Sequence, residues 1–223
     1  MTNVWQKRQS YGILDTAMDL SHPYSAIAPT VDGDVLVVLA GTTHPLTGRG
    51  VTRLVQRRSV AGVADALGRL VRQGLITRLE APPAALYTLN RKHVAAPVAE
   101  ALAGIRTELL TRLRSAFVTW DQQPAHASLF GSAARADGGI ESDIDLFLVR
   151  PVDVDSEDVI WGEQLASLSD TVLLSTGNHA SVIDFAEGDI QRMLIESPPV
   201  LRDLQRDGID LAGKPLRELL TAQ

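Results

Sequence analysis

Apolar positions recur along this chain with two different periods, and the switches between them predict its elements. From Ser59 onward, Val63, Leu67, Leu70 and Val71 fall at i, i+4, i+7 and i+8, the stripe of an amphipathic helix. Ser59 is its expected N-cap and Gly74 its expected stop. Thr47 is the expected cap of a shorter helix over 48–56. The compact apolar run from Gly33 to Gly41 reads as strand or helix on its own, and the capped helical stretches downstream of it favour helix. After Gly74 the period drops to two. Residues 75–80 and 85–90 alternate on either side of Ala81-Pro82-Pro83-Ala84, which predicts a hairpin. Helical spacing returns over 93–118, where Leu102, Ile105, Leu109 and Leu113 repeat and Pro97 fits a first turn. Residues 1–27 read as an irregular arm.

The second half mixes the periods. Ala127 to Phe130 is a short apolar strand that breaks at Gly131-Ser132 and crosses a small, polar loop. The chain then resumes as a strand from Asp143 to Val149. A helix over about 156–176 ends at Gly177-Asn178, and His179 to Ala186 reads as another strand. Residues 188–206 predict an amphipathic helix interrupted at Pro198-Pro199, and Gly208 to Gly213 a short closing element.

Two positions in this pattern carry chemistry. Asp143 and Asp145 alternate with Ile144, Leu146 and Leu148, so the carboxylates point one way and the apolar residues into a core. Paired carboxylates on a buried strand repel and lose hydration unless a cation lies between them, and oxygen-only ligation suits magnesium or manganese. Gly131 lets a phosphate approach the backbone closely, and Ser132 offers a hydroxyl beside free amides. The combination resembles the signature of the nucleotidyltransferase superfamily that includes DNA polymerase beta. That signature is a hydrophobic residue, Gly, then Gly or Ser, a gap, and Asp-hydrophobic-Asp, met here by Phe130, Gly131, Ser132, Asp143, Ile144 and Asp145.

The resemblance implies transfer of a nucleoside monophosphate from an NTP, with ATP expected, to a hydroxyl of a protein, RNA or small-molecule acceptor. It implies Mg2+ or Mn2+ held by Asp143 and Asp145, and a third carboxylate from a later strand, for which Asp184 is the match. Gly131 and Ser132 would grip phosphate with Arg135 as a helper, and the loop 136–142 would close over nucleotide. This reading requires Asp184 to share a face with Asp143 and Asp145.

Three helices followed by a hairpin resemble a bacterial winged helix-turn-helix, with 59–73 as recognition helix. The resemblance implies DNA as a partner, contacted through Arg49, Arg53, Arg57, Arg58, Arg69 and Arg78, with Arg72, Arg91 and Lys92 as further cations. Ala61, Gly62 and Asp65, near the start of that helix, are poor base readers, so backbone-dominated binding or a protein-contact role is expected.

Composition narrows the rest. There is no cysteine, which excludes disulfides and thiolate metal sites. No run reaches membrane-spanning length and the N-terminus lacks a signal-peptide core, so a cytoplasmic location without membrane partners is expected. Residues 1–96 carry 11 Lys+Arg against 6 Asp+Glu and the remainder 10 against 21, a basic front and an acidic back. Gly208 to Lys214 imitates a Walker A loop, but Pro215 stands where a hydroxyl residue is needed. The five histidines show no metal-ligand spacing.

The expected class is a two-domain α+β or α/β protein. An arm (1–27) precedes a winged helix-turn-helix (28–93), a connecting helix and loop (94–122), and a nucleotidyltransferase-type mixed β-sheet with flanking helices (123–223). A homodimer stays open. The competing reading is a non-catalytic DNA-binding regulator whose back domain senses nucleotide.

Overall fold

The computed structural model describes residues 17–196 and 198–221; most of the predicted arm lies outside them. The chain forms two compact units. One holds residues 21–119, and the other holds the described residues up to Leu20 together with those from Trp120 onward. The helix expected to be a connector therefore belongs to the front unit; of the described arm residues, 17–20 belong to the back unit and 21–27 to the front.

In the front unit, a short 3-10 turn precedes α1 (Val31–Ala40), β1 (Leu46–Thr47), α2 (Gly48–Val55) and α3 (Val60–Arg72). Next come β2 (Ile76–Ala81), β3 (Ala84–Leu89) and α4 (Ala96–Val118). The ambiguous run from Gly33 is helical because Thr30 caps it, its hydroxyl accepting the Gly33 amide at 3.2 Å. Thr47 and Ser59 cap α2 and α3 in the same way, through the amides of Gly50 and Gly62. Gly74 leaves α3 with φ +76°, a left-handed turn open to glycine at little cost. The hairpin pairs antiparallel, and β1 adds to its other edge in the order β1-β3-β2. Val35, Leu39, Val51, Val63, Leu67 and Ile76 close the core. Burying each such side chain contributes about 1.5–3 kcal/mol.

In the back unit come β4 (His126–Phe130), α5 (Gly131–Arg135), β5 (Ile144–Arg150), α6 (Val159–Thr176) and β6 (Ala180–Ala186). They are followed by α7 (Ile190–Glu196), α8 (Pro199–Asp207), β7 (Ile209–Gly213) and α9 (Leu216–Thr221). The sheet order is β6-β5-β4-β7; β6 lies parallel to β5, the other pairs antiparallel. Parallel pairing of successive strands needs a crossover, which α6 supplies. One sheet face carries Phe130, Phe147, Val149, Ile183 and Phe185 against Ile190, Met193, Leu201, Leu204, Leu216 and Leu219 of α7, α8 and α9. The other carries Ile144, Leu146 and Leu148, fully buried on the side of α6.

Candidate nucleotide and metal site

The site is built where β4 ends and β5 begins. Phe130 is the register partner of Asp145, so the chain turns into α5 directly beside that carboxylate. Gly131 makes the turn with φ +67°, and a Cβ there would collide with Asp145 Oδ2. Both the backbone angle and the close approach demand glycine at this position. Ser132 comes next, its Oγ close to the buried Gly138 in the loop that returns to Asp143. Asp143 is exposed one residue ahead of the ladder, and Asp145 is half-buried within it.

Burial is the main cause that lifts the Asp145 carboxyl above its ordinary value; a hydrogen bond from Ser181 opposes it, the nearby Asp143 charge adds to it, and Arg135 opposes it again. A carboxylate held charged against its own desolvation and a like charge is suited to an incoming cation. The donor set, two carboxylates beside a glycine amide and a serine hydroxyl, fits a hard divalent ion carrying phosphate, since magnesium commonly takes one or two carboxylates and completes its shell with phosphate and water.

Asp184 does not join them. In the parallel register Asp145 lies opposite Ser181, and Asp184 lies opposite Leu148. Opposed residues share a face and successive residues alternate, so Asp184 points to the α6 side of the sheet, away from Asp145. There its Oδ2 accepts the Trp161 indole N–H at 3.2 Å, and its Oδ1 lies 3.3 Å from Arg150 Nε. Burial raises its pKa, while the Arg150 charge and the indole bond restrain the rise. The aspartate inside an apolar strand is explained by this Arg150–Trp161 setting. The expectation of Asp184 as third metal ligand is therefore corrected, and Ser181 stands at the corresponding place. Among the described residues no group of three or more His, Asp or Glu is arranged to hold a metal ion.

Arg135 is anchored away from a free approach to phosphate. Its Nε donates to Asp137 at 2.9 Å and its Nη1 to Asp207 at 3.1 Å, and Asp207 also binds Arg206. His126 is fully buried, with Nδ1 2.8 Å from the Lys214 carbonyl, and burial pulls its pKa down. Two open grooves of about 490 and 550 Å3 lie elsewhere, one around Thr77, Thr88 and Arg91, the other around Leu204, Asp210 and Leu220.

The front-unit arginines expected at DNA separate into three groups. Arg57 and Arg58 both bind Asp34, which is 1% exposed, at 2.7 and 2.5 Å. Tyr24 donates to the same carboxylate at 2.8 Å. These two arginines neutralise a buried charge, a structural role that the DNA-contact expectation did not include. Arg69 binds Asp32 and Arg78 binds Glu80 on the surface. Arg49 and Arg53 are exposed on α2 and have no ion-pair partner among the described residues.

Sequence reasoning missed Ser181, the Asp34 cluster and the Arg150–Asp184 pair. Only the parity of residue numbers along two strands could have flagged the first, and it needs the register.

No protein-family model matches the chain, and no curated protein matches it. Among solved structures, one described as a "putative nucleotidyltransferase" from Sulfolobus solfataricus is similar at a TM-score of 0.27 and 17% identity, over 48% of this chain and 81% of that one. At that TM-score the likeness carries no weight for the chemistry, which rests on the residues themselves.

Proposed function

We propose that the back unit binds an NTP, with ATP expected, as its complex with Mg2+ or Mn2+, and transfers the nucleoside monophosphate to an acceptor hydroxyl on a protein, RNA or small molecule. The observation that carries this reading is the convergence of Gly131 with Asp145, a left-handed glycine turn packed against a half-buried carboxylate. Asp143 and Asp145 hold the ion, which supplies charge neutralisation at the phosphates and a lowered pKa for the attacking hydroxyl. The Gly131 backbone and the Ser132 hydroxyl orient the phosphates. Arg135 reaches them only by leaving Asp137 and Asp207. With Asp184 on the opposite face, no third carboxylate among the described residues is arranged with Asp143 and Asp145 to activate the acceptor, so its proton leaves to solvent or to a base on the acceptor as pyrophosphate departs.

The same placement of Asp184 favours a second reading, a non-catalytic regulator that senses metal-bound nucleotide. The layout of α1, α2, α3 and the β2–β3 hairpin supports a winged helix in the front unit, with Arg49 and Arg53 contacting DNA phosphates.

The test is incubation with each labelled NTP and Mg2+, alone and with cell extract, while binding is measured in parallel. Binding with pyrophosphate release or a labelled product supports transfer. Metal-dependent binding without turnover supports the sensor, and binding of no nucleotide by the wild-type protein overturns both.

A further inference from the structure

We infer that Asn178 is a positioning residue for the metal-binding carboxylates, an inference that rests on the metal–nucleotide reading above. Asp143 precedes the β5 ladder, so no strand pairing fixes it; its place depends on what holds residues 142 and 144. Asn178, 2% exposed in the turn between α6 and β6, holds the first. Its Nδ2 donates to the Ser142 carbonyl at 2.9 Å, and the adjacent His179 carbonyl accepts the Ile144 amide at 2.8 Å. Two neighbouring residues of one turn thus grip the backbone on either side of Asp143.

The same side chain reaches a third segment. Asn178 Nδ2 also donates to the Met18 carbonyl at 3.2 Å, and its Oδ1 accepts the Met18 amide at 3.2 Å, which also donates to the Thr176 carbonyl at 2.9 Å. Its own amide donates to Thr176 Oγ1 at 3.1 Å. Both amide protons of the side chain are used, and the group cannot rotate without stranding two partly buried carbonyls. Asp143 and Asp145 repel each other when no cation is present, and an unpinned loop relaxes that repulsion by moving Asp143 outward. Pinning Ser142 keeps the pair set for an ion. Residues that orient metal ligands without touching the metal commonly change metal affinity about 10–100-fold when lost.

The experiment compares Mn2+ binding, alone and with ATP, to the full-length wild type, Asn178→Ala and Asn178→Asp. The Asp variant keeps the shape and the acceptor but loses the donor to Ser142. Leu168→Ala, a cavity at a buried position of α6 ten residues before Asn178, serves as a destabilised control. Hydrogen exchange over residues 142–146 is followed without metal. The expected result is roughly tenfold weaker Mn2+ binding and faster exchange at 143–145 in whichever Asn178 variant folds, with Leu168→Ala binding Mn2+ as wild type does. Unchanged Mn2+ affinity in a folded Asn178 variant overturns the inference, as does an equal loss in Leu168→Ala. Failure of both Asn178 variants to fold also overturns it, since the residue then serves the fold at large. A wild type that binds no Mn2+ sinks the metal–nucleotide reading itself.

Discussion

Asp145 and Ser181 are register partners across the parallel β5–β6 pair, and the serine hydroxyl works against the rise that burial causes in the Asp145 pKa. Leu148, three residues further along β5, is the partner of Asp184. Three is an odd step on a pleated strand, so Asp184 lies on the opposite face. The reading with three carboxylates therefore reduces to one with two, and this has measurable consequences.

Asp143→Ala and Asp145→Ala should abolish Mg2+-dependent nucleotide binding with thermal stability retained. Asp184→Asn should leave that binding unchanged. Calorimetric titration of the three variants with MgATP decides it, and loss of binding in Asp184→Asn would contradict the face assignment.

Ser181→Asp places a third carboxylate on the site face. Ligand charge count tunes affinity for hard cations, so Mn2+ binding should tighten roughly tenfold. Without metal the added like charge should lower the melting temperature. A variant that binds Mn2+ no better than wild type would show that residue 181 does not face the ion.

Buried His126 titrates below its ordinary value of 6.5, chiefly through desolvation, partly offset by the Lys214 carbonyl and the Asp210 charge. The unfolded chain then binds a proton before the folded one does. Stability is complete above the unfolded pKa and is lost as pH falls below 6.5. The raised carboxyls of Asp145 and Asp184 act oppositely, their folded forms gaining relative stability in acid as they protonate. Urea midpoints between pH 8 and 5 should therefore fall less for His126→Gln than for wild type, and parallel curves would refute this.

Arg57→Ala with Arg58→Ala leaves Asp34 buried without a cation and should destabilise the protein by about 3 kcal/mol. Arg49→Ala with Arg53→Ala should leave stability intact. If α2 meets DNA phosphates, the latter pair should also reduce the salt dependence of duplex binding by a slope of about two. Denaturation curves and binding at several salt concentrations separate the two roles.

Most elements were legible along the chain because their signals are local. Thr47 and Ser59 cap the helices expected of them, and Gly74 stops α3. The proline turn joins a hairpin shifted by one residue from expectation, and the Gly131 break lies beside the Asp145 strand as the spacing implied. The run from Gly33 was ambiguous by periodicity and became helix through the Thr30 cap. The loyalty of the long helix to the front unit depends on which core its apolar residues meet, a fact that spacing does not carry.

By itself the sequence determined the helix caps, the turns, the glycine at the bend after β4 and the alternation that sets Asp143 and Asp145 together, since each depends on neighbours a few residues apart. Only the tertiary structure decided that Ser181 rather than Asp184 stands beside them, that Arg57 and Arg58 serve a buried aspartate, and that Asn178 holds the loop before Asp143. Those outcomes arise from strand register and long-range hydrogen bonds between residues far apart in the chain, and no local pattern encodes which face of β6 meets the site.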